Sequence, residues 1–397
     1  MLVQFMLKNV LSFKNETVLD MTAINAYKEH ESNLISVGQK EKFIRVASIY
    51  GANASGKSNL CYAMSYFQRI IAESFNNVSE GEETAISKYY YPFLFDNDEE
   101  NSEFEIIEII GEYEYKYGFE YNDEVVVSEW MYRKNLQTNR NTIIFERTER
   151  SMKLGSLVRR ECDVYKEQIP SETLVLSFFN KLKLKTEIFR EMYSAIMDIL
   201  VVSTDAFENT TFLNKFLPDI IETGKDRLVE FLGAIDTGII DIFFRKEDNE
   251  IEFYTTHFGG DDEEYNLPLQ NESEGTIKSI AIYMYASVAI VCGKLMFVDE
   301  LNVKLHPLLL KFIIDLFYKK DSHAQLIYTT HDTTLMDRRF FRRDQIWFVQ
   351  KDEKGYSELE TLSDFKVRSD TSFEKDYLAG VYGGIPRLNT FEMKEGE

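Results

Sequence analysis

The stretch GANASGKS at residues 51–58 carries the strongest indication of the fold. It fits the pattern Gly-x-x-x-x-Gly-Lys-Ser of a phosphate-binding loop, with the β-rich run FIRVASIY before it and a helical pattern after it. Backbone N–H groups of such a loop turn inward around phosphate oxygens, and the N-terminus of the following helix adds favourable partial charge. We therefore predict that Lys57 reaches the β- and γ-phosphates of a nucleotide and that Ser58 ligates Mg²⁺.

A second signal is the run LMFVDE at residues 295–300. Its four apolar residues predict a buried strand that presents two carboxylates at its C-terminal end. Taken alone, the run also fits a strand that simply turns into solvent. Together with the phosphate loop, it predicts that Asp299 holds Mg²⁺ and that Glu300 orients or deprotonates the attacking water of a phosphoryl transfer.

A single histidine follows the strand-like run at residues 326–330. If this strand is a parallel neighbour of the acidic strand, His331 emerges at the same edge of the sheet as Asp299 and Glu300. A lone histidine is more often structural. This position nevertheless favours a switch residue that hydrogen-bonds the γ-phosphate or the attacking water.

The segment ESEGT at residues 272–276 precedes a predicted helix that runs to about Cys292. Ser273 fits a helix cap and Gly275 a tight turn, and by itself the segment is no more than a loop and a cap. Serine and glycine just before a helix N-terminus also form an anion site. Both interpretations stay open at this point.

The composition is that of a globular protein with a large core, since 44% of the 397 residues are hydrophobic and 14% aromatic. With 45 basic and 67 acidic residues the net charge is −22, which opposes indiscriminate nucleic-acid binding over the whole surface. Two local basic clusters fit either a solvated face or a nucleic-acid contact. They are KLKLK, with Lys181, Lys183 and Lys185, and RRFFRR, with Arg338, Arg339, Arg342 and Arg343.

No stretch approaches the roughly 18 uncharged apolar residues of a membrane span, and the opening MLVQFMLKNVLSF lacks the features of a signal peptide. We therefore expect a cytoplasmic protein without a membrane partner. The cysteines are odd in number and far apart, which indicates reduced thiols rather than disulfides or zinc. Cys61 and Cys292 lie in apolar helical patterns, so we expect both to be buried.

The order of the patterns predicts an α/β fold with four parts whose boundaries are soft. Residues 1–88 form the N-terminal part of a nucleotide-binding core, residues 89–159 an antiparallel β subdomain, and residues 160–235 a helical insertion. Residues 236–397 complete the core with the Ser-x-Gly motif, the acidic pair and the histidine. Alternating helices and strands in this last part imply a mainly parallel sheet.

In this order the motifs resemble the ATP-binding-cassette class of ATPases, which includes the SMC proteins and the OLD-family nucleases. More narrowly, the chain looks like the stand-alone RloA and AbiLi-like AAA-family ATPases of bacterial defence islands. The blocks that carry this resemblance are IYGANASGKSNL (49–60), NVLSFKN (9–15), YPF (91–93), SEGT (273–276), VDELNVKLHP (298–307) and FEKDYLAGVYGGIP (373–386). The resemblance implies an ABC-type P-loop ATPase head, with a mixed, mainly parallel sheet, an antiparallel β subdomain and a helical insertion.

The resemblance also implies a head-to-tail homodimer, or a higher oligomer, that sandwiches two ATP molecules with Mg²⁺. Ser273 and Gly275 of one subunit would complete the γ-phosphate site of the other, and Asn302 and His306 would be contacts across the dimer. Phe13 and Lys14 would lie near the nucleotide. The residues of the phosphate loop that would bind the nucleotide are Gly51, Asn53, Ala54, Ser55, Gly56, Lys57, Ser58 and Asn59.

The sequence departs from the class pattern in two places. The signature reads Ser-Glu-Gly-Thr where transporters have a second glycine and a glutamine, so transporter-like kinetics are not implied. The glutamine that usually contacts Mg²⁺ is not assigned, since Gln68 falls within the first helix.

Two functions stay open. In the first, the protein is an ATPase that senses a phage-derived or nucleic-acid trigger and regulates a separate toxic effector, a nuclease by analogy with the family. The acidic residues 261–264 crowd one loop like a solvated turn, which is not the pattern of a fused nuclease. In the second, the protein is an SMC- or repair-like DNA-handling ATPase, whose short helical insertion would have to act as an arm.

Overall fold

The structure of the protein is a computed structural model that describes residues 1–38, 41–75, 83–96, 100–204, 210–247, 250–319, 322–367 and 372–386. Its helices are α1 (Lys57–Glu73), α2 (Ala85–Lys88), α3 (Arg159–Cys162), α4 (Val175–Lys181), α5 (Ile188–Met197), α6 (Thr210–Ala234), α7 (Glu274–Cys292), α8 (Pro307–Phe317) and α9 (Phe373–Leu378).

A large antiparallel sheet forms from strands in which aromatic and aliphatic side chains alternate with polar ones. In spatial order its strands are β10 (Ser151–Leu154), β9 (Asn141–Thr148), β8 (Val126–Asn135), β7 (Tyr113–Tyr121), β6 (Ser102–Ile110), β1 (Leu2–Lys8) and β2 (Thr17–Asp20). The β subdomain predicted from the sequence thus extends to the two N-terminal strands.

A second sheet is mainly parallel. In spatial order it contains β11 (Leu200–Val202), β15 (Leu295–Val298), β16 (Gln325–Thr329), β5 (Val46–Tyr50), β17 (Ile346–Lys351) and β18 (Ser357–Thr361). Neighbours from β11 to β17 pair in parallel, whereas β18 pairs antiparallel with β17. The residues of β5, β15 and β16 are all buried, as expected of parallel strands covered on both faces.

Helix α1 links the two sheets. Its Phe67 ring lies 5.7 Å from the ring of Phe5 in β1 and 5.8 Å from the ring of Phe119 in β7. The same core cluster includes Ile49 of β5 and Phe297 of β15. Because burial of this apolar surface fixes α1 between the sheets, the loop at its N-terminus has a defined position above the parallel strands.

Helices α4 to α6 and most of α3 lie in residues 160–235, where the sequence predicts a helical insertion, but the chain also returns to the parallel sheet there. Helix α5 ends at Met197, and the following strand β11 pairs in parallel with β15. A buried carboxylate fastens α4 to the β subdomain. Glu129 accepts hydrogen bonds from the N–H groups of Val175 and Leu176 at 2.6 and 3.1 Å, and its burial raises its pKa to about 7.

Two smaller sheets complete the fold. One pairs β3 (Leu34–Val37) with β4 (Glu41–Ile44), and the other contains β12 (Ile239–Glu247), β13 (Glu250–Phe258) and β14 (Glu264–Pro268). The acidic residues 261–264 lie between β13 and β14 or at the start of β14, on the exposed surface.

Helix α7 is long and apolar enough, by length and composition, to cross a membrane, contrary to the expectation that no stretch approaches this length. Here it packs against α6, α8 and β15, and its residues Ile280, Ala281 and Ile282 are buried. Cys292 at its end is exposed, so the prediction that this thiol is buried is wrong, whereas Cys61 and Cys162 are buried. The apolar helical pattern did not reveal that the last turn of α7 faces outward.

Candidate active site

The phosphate loop lies between β5 and α1, as the sequence predicted. Its backbone takes left-handed conformations at Ala54, with φ of 60°, and at Gly56, with φ of 115°. A side chain at Gly56 would also collide with the hydroxyl of Ser357, and one at Gly51 with the carbonyl oxygen of Val349. Both glycines are therefore required by close approach of neighbouring chain segments.

Lys57 is held inside this loop. Its ammonium Nζ donates hydrogen bonds of 2.9 Å to the carbonyl oxygens of Gly51 and Ala52, and only 5% of the residue is exposed. Burial lowers the pKa of Lys57 to about 8, although the nearby carboxylates of Glu300 and Asp299 partly offset this effect. An anion placed in the loop would stabilise the charged ammonium.

The carboxylate of Asp299 is 5% exposed and is fixed at the end of β15. Thr329 Oγ1 donates a 2.6 Å hydrogen bond to its Oδ1, and Thr204 Oγ1 lies 3.4 Å from its Oδ2. Burial, with a smaller contribution from the charge of Asp299, raises the pKa of the Cys61 thiol in α1. Cys61 lies one helical turn after Ser58 in α1.

Glu300 and His331 meet at the ends of adjacent parallel strands. The Oε1 atom of Glu300 lies 3.7 Å from Nε2 of His331, and about a third of each side chain is exposed. The backbone of Glu300 has φ of 49°, and its N–H donates to Thr329 Oγ1 at 2.8 Å. Burial, and then the charge of Lys57, lower the pKa of His331, although the charges of Glu300 and Asp299 oppose this effect.

The signature turn occupies a different surface. Ser273 is exposed and caps α7, because its Oγ accepts a 3.0 Å hydrogen bond from the N–H of Thr276. A Cβ on Gly275 would lie 2.9 Å from the carbonyl oxygen of Lys304. Across the described ranges, no hydrogen bond or ion pair joins Ser273 or Gly275 to the phosphate loop of the same chain.

The N-terminal loop reaches the phosphate loop through a residue that the sequence did not single out. Ser12 Oγ accepts a 2.7 Å hydrogen bond from Asn59 Nδ2 and lies 2.7 Å from Ser357 Oγ, which is 2.6 Å from the carbonyl oxygen of Ser55. Lys14, by contrast, is buried in ion pairs with carboxylates of Asp96, at 3.2 Å, and Glu100, at 3.6 Å. Its contact with a nucleotide stays a prediction.

The C-terminal tail also supports the site. Tyr377 donates a 2.9 Å hydrogen bond to the carbonyl oxygen of Gly384, and its ring centroid lies 6.1 Å from that of Tyr50 at the end of β5. A hydrogen bond of 3.0 Å joins Thr333, two residues after the histidine, to Glu374 in α9. The tail thus contacts the segments that carry both Lys57 and His331.

The structure also places Gln68 and residues of the two basic clusters. Gln68 donates hydrogen bonds of 2.7 and 2.9 Å to the carbonyl oxygens of Ile196 and Ile199, so it ties α1 to the segment after α5. Arg342 is fully buried in an ion pair with Asp344 at 2.7 Å, which removes it from any nucleic-acid surface. The side chains of Lys181, Lys183 and Lys185 are exposed.

A nucleoside triphosphate with Mg²⁺ fits the residues present. The Ser55 hydroxyl is buried without a hydrogen-bond partner among the described residues, as a phosphate-binding cradle requires. Lys57 and the N–H groups of the loop would hold phosphate oxygens. The Ser58 hydroxyl and the Asp299 carboxylate supply hard oxygen ligands, which Mg²⁺ prefers. In the described part of the chain, no group of three or more His, Cys, Asp or Glu residues forms another metal site.

Phosphate loop, acidic pair and histidine together define a protein of the P-loop nucleotide-binding class. A family model described as "AAA domain, putative AbiEii toxin, Type IV TA system" matches residues 46–337, more than half of the chain. The chain therefore belongs to this family of AAA-domain ATPases.

Solved structures give weaker likenesses. The SMC head domain from Thermotoga maritima aligns with a TM-score of 0.39 and 14% identity, over 92% of this chain and 99% of that chain. The SMC head bound to the C-terminal winged-helix domain of ScpA aligns with a TM-score of 0.41 and 14% identity, over 94% and 99%. Both TM-scores are below 0.5, so neither likeness defines the fold. No curated protein matches the chain.

Proposed function

We propose that the protein hydrolyses ATP with Mg²⁺ in the cytoplasm and acts as a switch that controls a separate toxic effector. The observation that carries the ATPase is the meeting of Glu300 and His331, 3.7 Å apart between Oε1 and Nε2, after the ends of β15 and β16. The phosphate loop with Lys57 follows β5, the next strand of the same sheet. Parallel sheets bind ligands at the carboxyl ends of their strands. Mg²⁺ would neutralise charge on the phosphates, and Glu300 would receive the proton of the attacking water.

The exposed signature turn supports a dimer. Ser273 and Gly275 lie at the N-terminus of α7, and they make no hydrogen bond to their own phosphate loop among the described residues. In the proposed head-to-tail dimer they complete the γ-phosphate site of the partner. ATP then acts as the element that joins the two subunits, and hydrolysis releases them.

The family description agrees with a partner component. It names a toxin–antitoxin system, in which harmful and protective activities belong to separate components. The RloA and AbiLi-like resemblance of the motifs agrees with a defence role in which a phage-derived signal triggers the switch. We propose a nuclease as the partner effector.

The dimer is tested by Ser273→Arg. We expect this variant to bind Mg-ATPγS within about threefold of the parent affinity, because the phosphate loop is untouched, yet to stay monomeric by light scattering while the parent doubles its mass. Ser151→Arg, at an exposed serine of β10, is the matched control and should dimerise like the parent. A parent protein whose mass does not change with nucleotide contradicts the sandwich.

An SMC- or repair-like DNA-handling ATPase is the second candidate, favoured by the exposed Lys181, Lys183 and Lys185. Two experiments distinguish these functions. Hydrolysis that rises with DNA and loses this rise when the three lysines are replaced by glutamine supports DNA handling. A protein chain that co-purifies from the native host and is released by Mg-ATP supports the effector switch.

The pKa of Lys57 gives a pH dependence. Since the free site holds this pKa at about 8, and bound phosphates favour the charged ammonium, nucleotide binding above that pH takes up a proton. The affinity for ATP should therefore fall by up to about tenfold per pH unit above about pH 8. Calorimetry in two buffers of different ionisation enthalpy measures the uptake. An affinity that is constant from about pH 7.5 to 9.5 contradicts the prediction.

A further inference from the structure

A buried lysine joins the signature helix to the loop that follows the acidic pair. Lys278 lies in the first turns of α7, with 4% of its surface exposed. Its Nζ donates hydrogen bonds of 3.1 Å to the carbonyl oxygen of Glu300 and 2.7 Å to that of Val303. The ATP hydrolysis proposed at the phosphate site does not involve this side chain.

The contact sets the position of Glu300. A buried ammonium is costly unless its protons are bonded, so Lys278 holds the two carbonyl oxygens in one arrangement. The loop needs such support, because Glu300 and Lys304 both have left-handed backbones, with φ of 49° and 62°. Moving the peptide of Glu300 would move its carboxylate relative to His331 as well.

A second contact makes the signature turn and this loop a single unit. The carbonyl oxygen of Lys304 approaches Gly275 so closely that a Cβ there would lie 2.9 Å away. The Nζ atom of Lys304 also lies 3.3 Å from Oε2 of Glu274. The loop is thus attached to α7 at Glu300, Val303 and Lys304, and a shift of the signature turn must be transmitted to it.

We propose that Lys278 is a positioning residue that couples the two nucleotide sites of the dimer. The inference rests on the proposed function, in which the signature turn contacts the ATP of the partner while Glu300 acts on the ATP of its own chain. Lys278 connects these two groups within one subunit. ATP bound at one site therefore places the general base at the other.

Lys278→Met tests the coupling, since methionine keeps the length of the side chain but removes the donors. We expect the variant to bind ATP within about twofold of the parent, while kcat falls about 10- to 100-fold because Glu300 is misplaced. The Hill coefficient for ATP hydrolysis should fall from above 1 to 1. Lys278→Arg, which keeps donors for both carbonyl oxygens, should recover cooperativity.

Lys294→Met is the matched control. Lys294 follows the other end of α7 and pairs with Asp198 at 2.7 Å, so its loss removes a lysine contact far from the loop. We expect parent kcat and cooperativity. If Lys278→Met does not give a parent-like circular dichroism spectrum, Lys278→Gln, which keeps one donor group, replaces it in the same measurements.

The outcomes separate the inference from the function beneath it. A Lys278→Met protein with parent kcat and Hill coefficient overturns the coupling, as does a parent Hill coefficient of 1. Loss of ATP affinity in proportion to kcat also overturns it, because Lys278 would then support the fold in general. A parent protein that neither hydrolyses ATP nor dimerises overturns the proposed function instead.

Discussion

Lys57→Ala is expected to lower the affinity for ATP at least about a hundredfold, which corresponds to about 3 kcal/mol of binding free energy. The Lys57 ammonium is the cation held within the phosphate loop, bonded to the carbonyl oxygens of Gly51 and Ala52. Alanine removes the charge-assisted hydrogen bonds to phosphate. It also leaves the carbonyl oxygens of Gly51 and Ala52 without the cation to which they are bonded, next to the bound phosphates.

The measurement is equilibrium titration with a fluorescent ATP analogue, beside thermal unfolding followed by circular dichroism. Lys294→Ala serves as the control for loss of one positive charge, because its side chain pairs with Asp198 on another surface. An affinity of Lys57→Ala within about threefold of the parent would show that the nucleotide does not occupy this loop. A lower unfolding temperature with unchanged affinity would assign Lys57 a purely structural role.

The phosphate loop was predictable because its information is local. A buried strand, a glycine-rich turn and a helix follow one another within residues 46–73, and each has its own sequence pattern. The strands carrying Asp299 and His331 were also predictable, since apolar runs separated by a helical pattern imply parallel neighbours. Their register, with Val298 opposite Tyr328, brings Glu300 and His331 together.

The long-range contacts that hold the site in place were not predictable from local sequence patterns. The contact between Ser12 and Ser357 joins residues at opposite ends of the chain, and a serine in a loop gives no pattern that marks such a partner. The segment Leu200–Val202 is three residues long, too short to be distinguished from the end of a helix. The sequence pattern places Arg342 in a basic cluster. Its burial depends on Asp344 and on carbonyl oxygens near the N-terminus, which no local pattern reveals.

The structure gives a role to the C-terminal tail, residues 373–386. Its sequence resembled a family motif, but the pattern gave no role for Tyr377 or the glycines. In the structure the tail packs against the start of the phosphate loop, where a Cβ on Gly384 would lie 3.7 Å from the Cα of Gly51. Long-range packing of this kind is a property of the whole fold rather than of any window of sequence.

Glu300→Gln is expected to lower kcat about 10²- to 10⁴-fold while leaving the affinity for ATP within about threefold of the parent. Glutamine has the same shape and tolerates the same backbone, but it does not accept the proton of the attacking water. The substitution also removes one of the two carboxylate charges that raise the pKa of His331, which burial and Lys57 lower. The same charge raises the pKa of Lys57, so the affinity for ATP is measured beside the rate.

Because the variant binds ATP but does not cleave it, the proposed dimer should accumulate in Mg-ATP and persist after free nucleotide is removed. Light scattering and the amount of retained ATP, at one molecule per subunit, measure this state. Glu146→Gln is the control, since Glu146 pairs with Lys153 at 2.9 Å on the exposed side of the β subdomain. Hydrolysis by Glu300→Gln at the parent rate would show that another group accepts the proton. A slow variant that stays monomeric would keep Glu300 as the base but remove ATP from the dimer interface, so the two halves of the mechanism are tested separately by one protein.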